Sequence, residues 1–399
     1  MSEQEADELD EPDEAGKGRQ VMTTAVILLI LVSFLGVIFI TFYNQFTGQQ
    51  TLPPQLPPVA FLREAAAGTW QLFVTNAPVG DTVTQLTEET SDVLEFAVSP
   101  SGEVIAIVVA RTDGGTDLKL LDWNGRTANH SRTLLECPAQ NCGRLAWHPD
   151  GRRLIYERRQ GNTPTLWWLD AQTGETITVL ADGTAVSQAA AISADGTWLS
   201  YADLANGEMV LYEFGGGAQQ RLTNGLGSTA VWHPSQPQFL FSDYDLLVYH
   251  GDENETDHQE HAHDFAETIH LYLGDSSGDW KPLLSETGNV DDANPAWSPD
   301  GKWIAFGRKP IGTTAGRQLW LMRADGGEAR ALTEELNVNH GPPVWSEDGR
   351  YLLFQRFDTT TPDTPPGIWL LEVSTGEMTA VTENGILPAW LPESVSSEQ

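Results

Sequence analysis

Four histidines crowd one stretch of this chain: His250, His258, His261 and His263 stand among Asp252, Glu253, Glu255, Asp257, Glu260 and Asp264. Imidazoles two and three residues apart can converge on Zn²⁺ or Cu²⁺, and nearby carboxylates raise the local affinity for a cation. The same composition also suits a solvated polar loop. A divalent metal at this His-rich insertion is the one cofactor the residues point to, and both readings stay open.

Other candidate chemistry is weaker. Gly274-Asp275-Ser276-Ser277-Gly278 matches the Gly-x-Ser-x-Gly pattern, but that nucleophile needs a strand-to-helix elbow, and no helical hydrolase pattern surrounds it. It occupies the hairpin position that Asp325-Gly326-Gly327 takes elsewhere, so it reads as a turn. Ser193-Ala194-Asp195-Gly196-Thr197-Trp198 is similar to the sialidase Asp box but lacks the residue between Asp and Gly. Cys137 and Cys142 are the only cysteines, which excludes a four-cysteine zinc site. In an oxidising compartment they can close a small disulfide loop, with two free thiols as the alternative. No complete catalytic set emerges.

These residues must be positioned by a repeat. Trp147-His148-Pro149-Asp150-Gly151, Trp297-Ser298-Pro299-Asp300-Gly301 and Trp345-Ser346-Glu347-Asp348-Gly349 spell an apolar strand ending in Trp and then a tight turn. Looser copies follow Val98, Ile192 and Trp232, and Pro388-Ala389-Trp390-Leu391-Pro392 closes the series. The anchors at 98, 147, 192, 232, 297, 345 and 390 recur mostly at 40 to 49 residues, a period that with strand patterning means propeller blades. Pro presets φ at the first corner, Asp accepts local backbone hydrogen bonds and Gly takes the left-handed conformation. These aspartates are therefore expected to be turn-formers rather than catalysts.

Each period continues with a buried strand (Trp303 to Phe306), a third (Leu319 to Met322) and an outer one ending in Arg221-Leu222-Thr223 or Ala331-Leu332-Thr333. Pro58 to Arg63 aligns with Trp303 to Arg308, so the start of the repeat region carries three strands and lacks the inner one. The C-terminal end carries an inner strand alone. Together they predict an all-β, seven-bladed β-propeller of four-stranded antiparallel blades over residues 58–392, its ring closed by both ends. Loss of the last dozen residues should destabilise the whole ring.

The step from 232 to 297 is 65 residues, roughly twenty longer than its neighbours, which places the His-rich stretch in an insertion over residues 243–267. In a propeller, loops joining second to third strands share a face with those joining successive blades. The insertion, the cysteine loop and the polar residues Asp291, Asp292, Asn294, Asn339 and His340 are thereby assigned to one face, the candidate binding surface. The bland alternative is that loops are polar because they meet water.

Residues 21–43 carry no charge and would span about 34 Å as a helix, enough to cross a hydrocarbon core and preceded by transmembrane-type flanks. Lys17 and Arg19 precede the run and the first basic residue after it is Arg63, so the positive-inside bias predicts a single-pass membrane protein. Its N-terminus is then cytoplasmic and the propeller extracytoplasmic. The run is too long for a signal peptide, and no small-residue cleavage site follows. Residues 1–20 form an acidic tail expected to be disordered, 44–57 a Pro-rich linker, and 393–399 a C-terminal tail. Net charge is −34; the tail's eight acids and two bases give −6, leaving −28 outside. That field excludes nucleic acid as a partner and opposes other polyanions.

The phrase Arg-Leu-Thr, a spacer, then Pro295-Ala296-Trp297-Ser298-Pro299-Asp300-Gly301-Lys302-Trp303-Ile304-Ala305-Phe306 resembles the TolB-like, WD40-like propeller repeat of bacterial envelope proteins. The resemblance covers nearly all of residues 58–392. It implies the fold and a cell-envelope setting, while blades of this type serve as docking platforms, peptidase accessory domains and polysaccharide lyases. The chain departs from TolB itself in its expected uncleaved anchor, in having no separate N-terminal globular domain and in seven apparent blades instead of six. The leading expectation is a non-enzymatic docking or sensing module for a protein or peptide. The alternatives are a metal-dependent, lyase-like carbohydrate-active enzyme and a metal-binding envelope protein.

Overall fold

A computed structural model describes residues 56–76, 82–125, 127–180, 187–248, 265–283, 289–361 and 363–392. They form seven antiparallel sheets. The second strands are Pro58–Glu64, Val104–Ala110, Arg153–Gln160, Trp198–Asp203, Gln238–Val248, Trp303–Pro310 and Tyr351–Asp358, and these define blades 1 to 7. Blade 6 runs Val290–Trp297, Trp303–Pro310, Gln318–Arg323 and Arg330–Ala331 from the inside outward. Blade 7 departs from the pattern: Pro342 and Pro343 split its inner strand into Val338–His340 and Val344–Trp345, as expected where proline removes ladder donors. Among the described residues no helix is long and apolar enough to cross a membrane; residues 21–43, with the tail and linker, lie outside them.

Why these residues make blades is visible in their burial. Second strands are apolar on consecutive positions because alternate side chains enter different inter-blade cores. Val59 and Phe61 pack against Leu353 and Leu370 of blade 7, whereas Ala60 and Leu62 pack against Ile105 and Ile107 of blade 2. Every seam between neighbouring blades holds such a cluster. A fully buried side chain of this size contributes about 1.5–3 kcal/mol.

The repeated turn works as its composition predicts. The Ser298 hydroxyl donates to Asp300 Oδ1 at 2.6 Å and accepts the Trp303 N–H at 3.0 Å, while Asp300 takes the Lys302 N–H at 3.1 Å and Gly301 sits at φ 69°. Ser193 with Asp195 and Ser346 with Asp348 repeat the same bonds. The Leu-Thr ending also has a cause: Thr333 Oγ1 accepts the Leu319 N–H at 2.9 Å and donates to Gln318, and Thr87 does the same for Leu72 and Gln71. These bonds pin the start of each following inter-blade loop.

The Ser298 hydroxyl and the Lys302 N–H, with Lys302 itself, hold the Asp300 carboxyl at about 2, below its ordinary 3.8. A carboxyl depressed on folding stabilises the fold above its unfolded value, and that contribution is lost as pH falls through the folded value. Asp300→Asn is therefore expected to flatten the acid limb of a melting-temperature profile between about pH 4 and pH 2. An unchanged slope in differential scanning fluorimetry would count against this role.

The anchor tryptophans couple the blades. Trp147 donates its indole N–H to the Ala97 carbonyl, Trp297 to Val231, Trp345 to Ala296 and Trp390 to Val344, at 3.0–3.3 Å. Each acceptor is the residue just before the preceding blade's anchor. Trp232 donates instead to Ser200 Oγ at 3.0 Å. Packing and a polar handle thus act together, as for buried indoles in general.

Ring closure is the expected one. Ile386–Trp390 pairs with Pro58–Glu64 (Val59 opposite Trp390, Ala60 opposite Ala389), and Leu391 is fully buried against the blade 1 and 2 core. The inner strands of blades 1, 3, 4 and 6 also share a β-bulge that nothing in the sequence pattern announces. Arg144, Ala189, Asn294 and Leu387 all take φ of 52–55° three residues before their anchors, and the register shifts at each.

One boundary needs correction. The insertion over residues 243–267 is a strand pair at both ends: Gln238–Val248 and Phe265–Asp275 stay in register out to Val248 opposite Phe265. The polar Asp243-Tyr244-Asp245 run looked like loop, but Asp243 is buried opposite His270 and its carboxylate accepts the Leu226 N–H at 2.9 Å, so its polarity is met inside the fold. Only residues 249–264 separate the two strands, and they lie outside the described residues.

Candidate functional site at the loop face

The two loop classes do lie side by side. Gly316 N–H donates to the Leu336 carbonyl at 2.8 Å, Thr116 N–H to the Gln140 carbonyl at 3.1 Å, and Ile269 N–H to Asp291 Oδ1 at 3.0 Å. On this face Cys137 and Cys142 are joined in a disulfide, and both are buried. Thr116 Oγ1 accepts the Cys142 N–H and donates to the Cys142 carbonyl, each at 2.8 Å, tying the cysteine loop to the neighbouring hairpin.

The five residues assigned to the binding surface gather where blades 6 and 7 meet, but most are engaged within the fold. Asp292 is buried and holds Arg308 through two bonds of 2.7 and 2.8 Å. Asn339 Oδ1 accepts the Arg317 N–H, and the His340 ring sets Nδ1 3.0 Å from the Arg317 carbonyl, so Nδ1 carries the proton. Burial pushes the His340 pKa below its ordinary value, and its Nε2 has no hydrogen-bond partner, lying 3.5 Å from Glu335. Glu335 itself binds Arg356 at 2.6 Å. Arg317 crosses Gly307, donating to the Gly307 and Asp291 carbonyls. A Cβ on Gly307 would meet Arg317 Cδ at 2.5 Å, so glycine makes the crossing feasible. Asn294 alone of the five is exposed, at its bulge.

His250, His258, His261 and His263 lie outside the described residues. Among the described residues no group of three or more His, Cys, Asp or Glu is arranged to hold a metal ion. Gly274 to Gly278 is a turn, with Gly278 N–H bonded to the Asp275 carbonyl.

Two features escaped sequence reasoning. Arg63, Arg158, Arg308 and Arg356 stack over Phe73, Trp167, Trp320 and Trp369 at 4.2–5.2 Å, cation–π pairs written in the chain as aromatic-x-Arg on the second strands of blades 1, 3, 6 and 7. A second polar group lies on the inner strands of blades 2 to 4 and the second strand of blade 3. Glu95 accepts the Arg144 and Leu145 N–H groups, each at 2.7 Å. Arg159 bonds Glu157 at 2.5 Å and Gln188 at 3.4 Å, and Arg144 Nε lies 3.7 Å from Glu157.

Apolar exposure is also uneven. Among the described residues, Leu94, Leu204, Tyr244, Leu336, Phe357 and Leu387 are the exposed large hydrophobics on the loop-face side of strands or in loop-face connections. Ile177 and Trp280 are those on outer strands. Leu204 and Tyr244 both border the Gly225–Gly227 turn, forming one patch across blades 4 and 5.

No protein-family model matches the chain, and no curated protein matches it. Its similarity lies with solved structures. TolB from Acinetobacter baumannii superposes with a TM-score of 0.50 at 16% identity, covering 88% of this chain and 70% of TolB. An oligogalacturonate lyase in complex with manganese gives 0.52 at 14% identity, covering 82% and 85%. A prolyl endopeptidase gives 0.55 at 14%, covering 84% of this chain and 49% of the peptidase. These likenesses establish a TolB-like propeller fold and leave activity to the site.

Proposed function

We propose that this TolB-like propeller is a membrane-tethered, extracytoplasmic docking module that binds a protein or peptide on its loop face. The observation that carries the reading is the exposure of Leu204, Tyr244, Leu336, Phe357, Leu94 and Leu387 at that face, Leu204 and Tyr244 both beside the Gly225–Gly227 turn, where apolar anchors of a partner would be desolvated. Residues 21–43 supply the tether, with the propeller outside. An oligogalacturonate lyase in complex with manganese shares the fold; the candidate metal ligands His250, His258, His261 and His263 lie outside the described residues.

The test is crosslinking and capture with the full-length chain in its native membrane. Leu204→Asp with Tyr244→Asp should abolish capture of a specific partner, whereas Ile177→Asp with Trp280→Asp on the outer strands should leave it intact. Equal capture by both variants would sink the loop face as the docking surface. A deletion aimed at the His-rich stretch must be confined to residues 249–264, because a wider one removes paired strands.

A further inference from the structure

The inner-strand bulges carry a second message, read from comparing one blade with the next. In blade 3, Arg144 at φ 52° and the following Leu145 turn consecutive N–H groups toward blade 2, and both are taken by the Glu95 carboxylate at 2.7 Å. Successive N–H groups around a left-handed residue form a concave nest for an anion. Glu95 stands three residues before the Val98 anchor, so it is a built-in carboxylate serving the next blade.

Blade 4 repeats the backbone. Ala189 has φ 55°, the register shift falls between Gln188 and Ala191 as it does between Gly143 and Ala146, and Ala190 follows as Leu145 does. The bulges of blades 6 and 1 differ, because Pro295 and Pro388 supply no second N–H. Among the described residues, no side chain accepts a hydrogen bond from Ala189 or Ala190. The residue equivalent to Glu95 is here Arg144, a cation with a 61% exposed side chain, and Arg159 reaches Gln188 beside it.

We infer that the nest at Ala189 and Ala190, together with the Arg144 guanidinium, binds a carboxylate from outside the chain. The inference rests on the docking reading and names what the partner must present: a carboxylate, from a chain terminus or an acidic side chain. Such a group would complete in blade 4 the arrangement Glu95 makes in blade 3, with Arg144 adding a charge-assisted bond. Glu157 sets the limit on charge: its buried Oε2 has no hydrogen-bond partner and lies 3.7 Å from Arg144, so the site takes one anionic group rather than a polyanion. Gln188 stands where blade 3 has Gly143, whose Cβ would come within 3.3 Å of the Glu95 oxygen, so the blade 4 ligand seats slightly farther out.

The test uses the full-length, ¹⁵N-alanine-labelled chain in detergent. N-acetylglycine serves as a terminal carboxylate, N-acetylaspartate bis-capped at its backbone as a side-chain carboxylate, and N-acetylglycinamide as the uncharged control. At least one acid should shift the Ala189 and Ala190 amide signals saturably, and which acid does so identifies the source; the amide should not. Arg144→Gln should weaken binding about tenfold, the scale of one charge-assisted bond. Arg144→Glu should abolish it, because the new carboxylate competes for the nest, and should also lower the melting temperature, because it stands beside buried Glu157. No shift with either acid, equal shifts with the amide, or full binding by Arg144→Glu would overturn the site. If partner capture stays sensitive to Leu204→Asp with Tyr244→Asp, the docking reading survives that failure.

Discussion

A chain ending at Gly385 should fail to close its ring and be degraded by protease under conditions where the intact protein resists. The deletion removes the inner strand of blade 1, the Trp390 indole bond to Val344 and the fully buried Leu391. Loss of a buried Leu costs about 2–5 kcal/mol and of a packed Trp about 3–5 kcal/mol. Their sum rivals the whole stability of an ordinary domain, about 5–15 kcal/mol. The exposed edge of Pro58–Glu64 would then present Val59, Ala60, Phe61 and Leu62 as an unpaired apolar strand, so aggregation should accompany unfolding. A truncated protein with a cooperative melt near that of the intact chain would refute closure as the source of stability.

Arg308→Leu should destabilise the propeller by about 3–5 kcal/mol, because it leaves Asp292 charged and almost wholly buried without its bidentate partner. The guanidinium also lies 4.5 Å over Trp320, so packing is lost together with charge. The double variant Asp292→Leu with Arg308→Leu should recover most of the loss, since an apolar pair of similar volume avoids the stranded charge. Chemical denaturation of the three proteins decides the matter. A double variant no better than Arg308→Leu alone would show that stacking, and not the ion pair, is what the site requires.

How much of this was legible in the chain depends on the range of the interaction that encodes it. The turn around Ser298 and Asp300 closes within five residues, so its chemistry is written locally, and the blade count and closure followed from it. The bulges were illegible because the backbone repeats while the side chain does not: Arg144, Ala189, Asn294 and Leu387 share a conformation and little else. Asp292 and His340 read as surface groups because their partners, Arg308 and Arg317, lie 16 and 23 residues away and become neighbours only across strands. Asp243 was read as loop for a similar reason. It pairs opposite His270 and its carboxylate accepts the Leu226 N–H, contacts that polarity alone cannot announce.

The tryptophan donors make a hoop with uneven stiffness. Two joints lack the indole donor: the anchor between blades 1 and 2 is Val98 and that between blades 3 and 4 is Ile192, neither with a side-chain N–H, and the latter joint relies on apolar packing and the reach of Arg159 to Gln188. A circular spring with two softer links concentrates its breathing at them. The second of these joints coincides with the Arg144 and Ala189 nest, so a ligand seated at that spot would act as a clasp, and occupancy would be felt as tension around the ring.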